Sequence, residues 1–484
     1  MLSAAILPIL LCGGADLWAQ SVKTKKTTAI SVEREVENYR EAMSWFRKGE
    51  DMVGTERESS DEQAEMFMKA VEIRPDFPEA HFNLGLVNMK RNRTKDAVAE
   101  FETVLRLDPN FDTRLHYLLG MAHSEDGNFE KAINAFENGL QQSPDDPAML
   151  EALAYLQTRT NRTDAAITTL QRIASQNSSD AATRTTLGVL QQRTGDIEKA
   201  VAWYKDALSI DQENFTAHYN LGLVYVQQQK MAEAVDEFKK ANVIEPGNVE
   251  LLERLGDAQT HLKLYGACPG SYQDAINHGG DREKLLTKLA LCLAAGGRTL
   301  DAIEALNKSV ALGVNNPDIW FFLGDLYSGL EESDGAIDAY LKSLALQPGQ
   351  KELHLNLGVL YAEKEMFDES MTQLQQAVAL DSRYTQAWSN IALVAEMLED
   401  DKEAIAAHEK LVALGNGTAI NHFHLGVLYA RNDQSDQSIT AFAKAIELDP
   451  ERYRAVLNEE LKNVHSVLDS IRYQKRFTDL LNQF

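Results

Sequence analysis

Histidine and cysteine are the residue types here that could hold a metal or carry redox chemistry, so their spacing comes first. Five of the 11 histidines, His81, His116, His218, His354 and His422, fall at one fixed place of an internal 34-residue frame. A metal ion needs ligands that converge to coordination distance, whereas these stand one per unit, about a unit's width apart. They are expected to pack, each with a ring nitrogen satisfied. The run His422-Phe423-His424 does not change this expectation, because helix neighbours two apart point to different sides. No metal and no cofactor is expected. Beyond Cys12, the thiols are Cys268 and Cys292, too few for a disulfide framework and most simply buried apolar fillers. No nucleophile elbow, P-loop, HExxH or CxxC occurs, and no stretch outside the frame is long enough for a catalytic domain. The chain is expected not to be an enzyme.

The elements that position these residues follow from the frame itself. Trp320, Leu323, Gly324 and Tyr327 are followed by Ala336, Tyr340 and Pro348. The same order recurs at Leu84-Gly85, Ala97, Phe101 and Pro109, at Leu119-Gly120, Ala132, Phe136 and Pro144, and at Leu221-Gly222, Ala234, Phe238 and Pro246. It returns at Leu357-Gly358, Tyr361, Leu374 and Ala377, and at Leu425-Gly426, Tyr429, Phe442, Ala445 and Pro450. Large residues three or four apart share one face of a first helix. The Gly or Ala at the eighth place and the Ala at the twentieth remove bulk where two helices cross, and proline closes the second helix. The pattern W-x2-L-G-x2-Y, A-x3-F/Y, P resembles the tetratricopeptide repeat.

That resemblance implies an all-α fold, a right-handed superhelical solenoid of antiparallel helix pairs. Eleven units over residues 78–452 are expected to begin near Pro78, Thr113, Pro147, Ala181, Phe215, Val249, Glu283, Pro317, Lys351, Thr385 and Ala419. Residues 39–77 read as a degenerate first unit, and residues 453–484 as a capping helix pair that closes the exposed end of the stack. Unit 249–282 is irregular: Cys268-Pro269-Gly270 stands where the second helix should begin, and that helix is expected to restart at Ser271. Residues 1–19 run apolar and then small, in signal-peptide order, and residues 20–38 read as a charged leader. Asn-x-Ser/Thr triplets such as those at Asn92 and Asn161 read as inter-helix turns.

A net charge of -25 argues against nucleic acid, which needs clustered Lys and Arg, and no membrane insertion is expected once a signal is removed. What remains is a protein or peptide ligand. In the family the inner groove is lined from the first helices, which here supply Phe82, Leu86 and Lys90, then Tyr117 and Met121, Tyr155 and Arg159, Val189 and Arg193, and Tyr219 and Leu223. The later units supply Asp257, Phe321, Asp325, Leu355, Val359, Phe423, Val427 and Arg431. Exposed aromatic rings in such a row mark a partner surface. The function expected is a non-catalytic scaffold in a bacterial envelope assembly, periplasmic or secreted. The alternative is an accessory module that positions substrate for a glycosyl- or polysaccharide-processing enzyme, with Asn83, Asn220, Asn356 and Asn390 gripping backbone. The carboxylate clamp of the chaperone-binding subset is not assembled, since Lys90 and Arg193 lack companion Asn and Lys residues.

Overall fold

The computed structural model describes residues 29–313, 315–463 and 466–482, and within them every regular element is a helix, 26 in all. The expected signal segment lies outside the described residues. No described helix is long and apolar enough to cross a membrane. The chain divides into two compact bodies, residues 1–245 and 246–484.

The first body holds the helix pair Ala29–Glu50 and Asp61–Ile73, then five pairs from Pro78–Lys90 with Thr94–Leu107 to Phe215–Gln227 with Met231–Ile244. Its first helix begins ten residues before the Tyr39 start expected, and half of the leader is therefore helix. The stretch contains no glycine or proline before Gly49 and is rich in Glu and Arg, good helix formers. The second body holds six pairs, from Val249–His261 with Cys268–Asn277 to Ala419–Arg431 with Ser435–Leu448, followed by Pro450–Glu460 and Lys475–Asn482. In that C-terminal stretch Tyr453, Leu457, Leu468, Ile471 and Phe477 join the buried cluster of Ile439, Phe442 and Ile446.

Counting from the eleven unit starts given by the sequence frame, with Pro78, Thr113, Glu283 and their equivalents as place one, makes the packing rule visible. Place eight meets place 24 of the same unit. A Cβ added to Gly85, Gly120, Gly188 or Gly222 would lie 2.5 Å from a ring carbon of Phe101, Phe136, Tyr204 or Phe238 respectively. Glycine is required there because the ring already occupies the volume of a methyl group. Where place eight is Ala154 or Ala290, place 24 is the slimmer Leu170 or Leu306. The turn between the two helices is equally regular, since place 15 has a positive φ in all eleven units. Gly127, Gly195 and Gly297 stand there, but so do Asn92, Asn161, Gln229, Lys263, Glu331, Glu365, Glu399 and Asp433. The Asn92 and Asn161 triplets are thus turn positions, and asparagine tolerates that conformation well.

The irregular unit departs from the expectation. Its second helix begins at Cys268, three residues before Ser271, because Pro269 falls in the first turn, where its missing N–H has no helical partner to lose. Cys268 and Cys292 are also corrected: both are buried, as expected, but they form a disulfide with Cα atoms 6.5 Å apart, joining this helix to the next unit's first helix. Cys268 stands at the small-residue place of its helix and Cys292 at place ten of the next first helix, within the span a disulfide can bridge. Lys288 spans the same junction, its Nζ donating to Glu253 Oε1 and Asp257 Oδ1 at 2.7 Å.

Candidate partner-binding surface

The fourth-place histidines are built into the scaffold. His81 sets Nδ1 2.5 Å from Glu100 Oε2 and Nε2 3.0 Å from the Pro75 carbonyl, and His218 repeats this with Glu237 and the Gln212 carbonyl. His354 substitutes Gln373 and the Pro348 carbonyl. The same place holds Trp388, whose indole N–H donates to the Ser382 carbonyl at 3.1 Å. In these four units the place therefore ties a first helix to the turn before it, whereas among the described residues the His116 ring nitrogens meet only Gln142 of its own unit, at 3.5 Å, and Nδ1 is left without a partner. Burial lowers the imidazole pKa of His116 and His422, which favours their neutral form.

The fifth-place aromatic rings also work inward. Phe82, Tyr117, Tyr219, Phe321 and Phe423 each tilt onto the place-24 ring of their own unit, with centroids 5.7–6.1 Å apart. Four of the five are half-buried. Phe82 is 2% exposed and Leu86 6%, which removes both from a binding surface and corrects the expectation for them. Two features adjoin them: the Phe111 ring lies tilted against Phe82 with centroids 5.4 Å apart, and the loop residues Val53, Glu58 and Ser59 line a small cavity with Leu86 and Asn83.

The basic residues expected in the groove are largely spent within the chain. Lys90 pairs with Glu58 of that loop, Arg193 donates to Asn161 Oδ1 at 3.2 Å, and Arg431 donates to Asp401 Oδ1 at 2.7 Å. Each links the end of a first helix to the preceding unit's turn or second-helix start. Such exposed pairs contribute roughly 0–1 kcal/mol each, so they set register more than stability. Arg159 lies 4.5 Å from the Phe129 ring and 3.5 Å from Tyr155 Oη. Asp257 is held by Lys288 and by Tyr272, whose hydroxyl donates at 2.9 Å. Asp325 accepts from Tyr340 at 2.7 Å; burial nevertheless pushes its carboxyl above the ordinary range. Of the asparagines, Asn220 and Asn390 donate to carbonyls of their own helices, and Asn83 is buried.

Place nine is uncovered in part: Leu86 is buried, while Met121, which packs against the core, Val189 and Leu223 are half-buried. In the first body consecutive units present Met121, Tyr155, Val189 and Leu223 there, Tyr155 with 60% of its surface exposed. The first helices Ala181–Arg193 and Phe215–Gln227 touch directly, so Val189 and Leu223 stand on neighbouring turns of one surface. In the second body Leu291 and Leu393, half exposed, occupy the same place and were not singled out from the sequence. The frame could have found them, since each lies 34 residues from a place-nine residue that was named, Asp257 and Val359.

A histidine cluster does form, away from the fourth-place row. His424, expected to join nothing, meets Glu396 and His408. Burial works against ionisation of Glu396, but the hydrogen bonds and charge of the two imidazoles outweigh it and hold the carboxyl at about 2.

A search of curated proteins found none that matches the chain. Among solved structures, a MamA structure is 26% identical, covering 35% of this chain and 91% of its own with a TM-score of 0.31. A MamA fragment from Desulfovibrio magneticus RS-1 is 19% identical, covering 35% and 96% with a TM-score of 0.31. A tetratricopeptide repeat protein from Parabacteroides merdae is 15% identical, covering 50% and 95% with a TM-score of 0.35. Sequence models described as tetratricopeptide or TPR repeats match residues 78–111, 124–189, 193–229, 215–248, 287–351, 321–381 and 420–452. Those stretches take in more than half of the chain and fall on the helix pairs described above, and the chain belongs to the tetratricopeptide-repeat family.

Proposed function

We propose that the chain is an exported scaffold that holds an extended segment of a protein partner against the place-nine row of its first body, within a bacterial envelope assembly. The observation that carries this reading is the row Met121, Tyr155, Val189 and Leu223, apolar at four consecutive units on a helix face that internal packing leaves uncovered to differing degrees. An extended peptide with apolar side chains at intervals gains a little from each unit, so affinity is spread along the row. The Cys268–Cys292 disulfide supports the export reading, because disulfides persist in oxidising compartments and are rare in the cytosol.

Purification of the tagged full chain from its host, with the partner's affinity then measured, tests the row. Tyr155→Ser with Leu223→Ser is expected to weaken binding by roughly tenfold or more, about 1.4 kcal/mol, with helicity unchanged. Unaltered affinity would place the partner elsewhere. Sequencing the mature N-terminus tests export separately, with a start at Gln20 expected and a cytosolic chain that keeps Met1 contradicting it.

A further inference from the structure

The repeat frame shows what each place is ordinarily asked to do, and at one junction between consecutive units three places hold residues that stacking does not ask for. Place 24 is Phe, Tyr or Leu in the ten other units and His408 here. Place 12 is uncharged in the ten others and Glu396 here. Place six of the following unit is His424, the one histidine at that place in eleven units.

The geometry of the frame brings these three places together. Place 24 reaches place 12 across a helix pair, as Tyr204 Oη does to Gln192 Oε1 at 2.9 Å and Tyr272 Oη to Thr260 Oγ1 at 3.2 Å. Place six faces back onto the preceding first helix, as Lys288 does onto Asp257. The helices Thr385–Met397, Asp401–Ala413 and Ala419–Arg431 accordingly aim their three departures at one point. His408 Nε2 is 2.8 Å from Glu396 Oε1, and His424 Nδ1 is 2.9 Å from Glu396 Oε2. One donor atom from each residue lies within 4.8 Å of the others, the two rings lie nearly parallel with centroids 5.4 Å apart, and His408 is 5% exposed.

We propose that Glu396, His408 and His424 bind a divalent transition-metal ion of the zinc class, with its fourth position left to water. Two imidazoles and one carboxylate suit zinc and its neighbours, whereas magnesium and calcium take oxygen ligands. Zinc bonds of about 2.0–2.2 Å in a tetrahedron put donor atoms about 3.3–3.5 Å apart. The two ring-to-carboxylate contacts, at 2.8 and 2.9 Å, therefore open by about half an ångström, and the widest donor pair, within 4.8 Å, closes by up to about 1.4 Å as the side chains turn. The ion takes the place of the proton that joins each ring to Glu396; in a neutral ring that proton passes by way of solvent to the other ring nitrogen, and in a protonated ring it leaves to solvent. Binding through Nε2 puts the remaining His408 proton on Nδ1, 3.3 Å from the Asn421 amide. That amide turns its oxygen to accept it and gives up the bond it now takes from the Thr418 N–H.

The test uses the full chain after chelator treatment, titrated with Zn2+ by calorimetry and with Co2+ by visible absorption. One ion per chain is expected, with the intense d–d bands of tetrahedral Co2+ and their loss on adding Zn2+. The variants restore residues that other units carry and so keep the fold: His408→Leu opposite Ala392, as in the Ala154/Leu170 pair, His424→Asn, and Glu396→Ala. Each is expected to weaken binding beyond the roughly 10–100-fold that loss of an outer-shell partner costs, with circular dichroism unchanged. Absence of saturable binding at micromolar Zn2+ would overturn the proposal. So would a stoichiometric ion that all three variants retain, since it would then sit on other groups of this acidic chain.

Discussion

At the scale of single residues, stability in this chain rests on pairs whose sizes are matched across a helix crossing. Gly222 lies under Phe238 and a Cβ there would come within 2.5 Å of the ring, while Ala154 and Ala290 lie under leucines. Gly222→Ala is therefore expected to destabilise by about 1–3 kcal/mol, as overpacking does. Phe238→Leu in the same chain should recover part of that loss, because it recreates the pairing of two other units. Thermal unfolding of the two variants checks this, and a double variant no better than the single one would show that the crossing is not size-matched. Both halves of these pairs were legible as anchors in the sequence. The direction in which fifth-place rings face was not: Phe82 and Tyr219 have the same spacing, yet Phe82 is buried and Tyr219 half-buried. The Phe111 ring, from the turn after the unit's second helix, lies against Phe82 with centroids 5.4 Å apart.

At the scale of elements, helix boundaries were legible wherever proline or glycine punctuates the frame, and less so where one of those residues has two possible roles. Pro269 read as an interruption and is in fact a first-turn residue, so the second helix of that unit starts at Cys268 and has 10 residues, against 14 and 13 in the second helices before and after it. The disulfide could not be read from two cysteines 24 residues apart, because pairing depends on how two crossing helices face each other. Its closure of a loop of that size contributes about 3 kcal/mol by restricting the unfolded chain. Adding a reductant, or making Cys268→Ala with Cys292→Ala, should lower the unfolding temperature while helicity below the transition is kept. An identical melt with and without reductant would mean that the thiols are free. His408, Glu396 and His424 belong to this scale as well. Each was visible as a letter, but their meeting requires three helices in register.

At the scale of the whole molecule, the family membership was legible because one unit is stated eleven times, and family members act as scaffolds that bind protein partners. The partner was not legible, since the anchors report how helices stack and say little about what lies against them. The surplus of acidic over basic residues, 73 against 48, and the pairing of Lys90, Arg193 and Arg431 within the chain are the grounds on which we propose apolar contact at place nine as the recognition element. Site-specific photo-crosslinking in the host tests that claim most directly. With a photoreactive residue replacing Tyr155 or Leu223 in one set, and Lys205 or Lys239 on second helices in the other, the account predicts partner adducts from the first set alone. Adducts from the second-helix positions with none from place nine would contradict it.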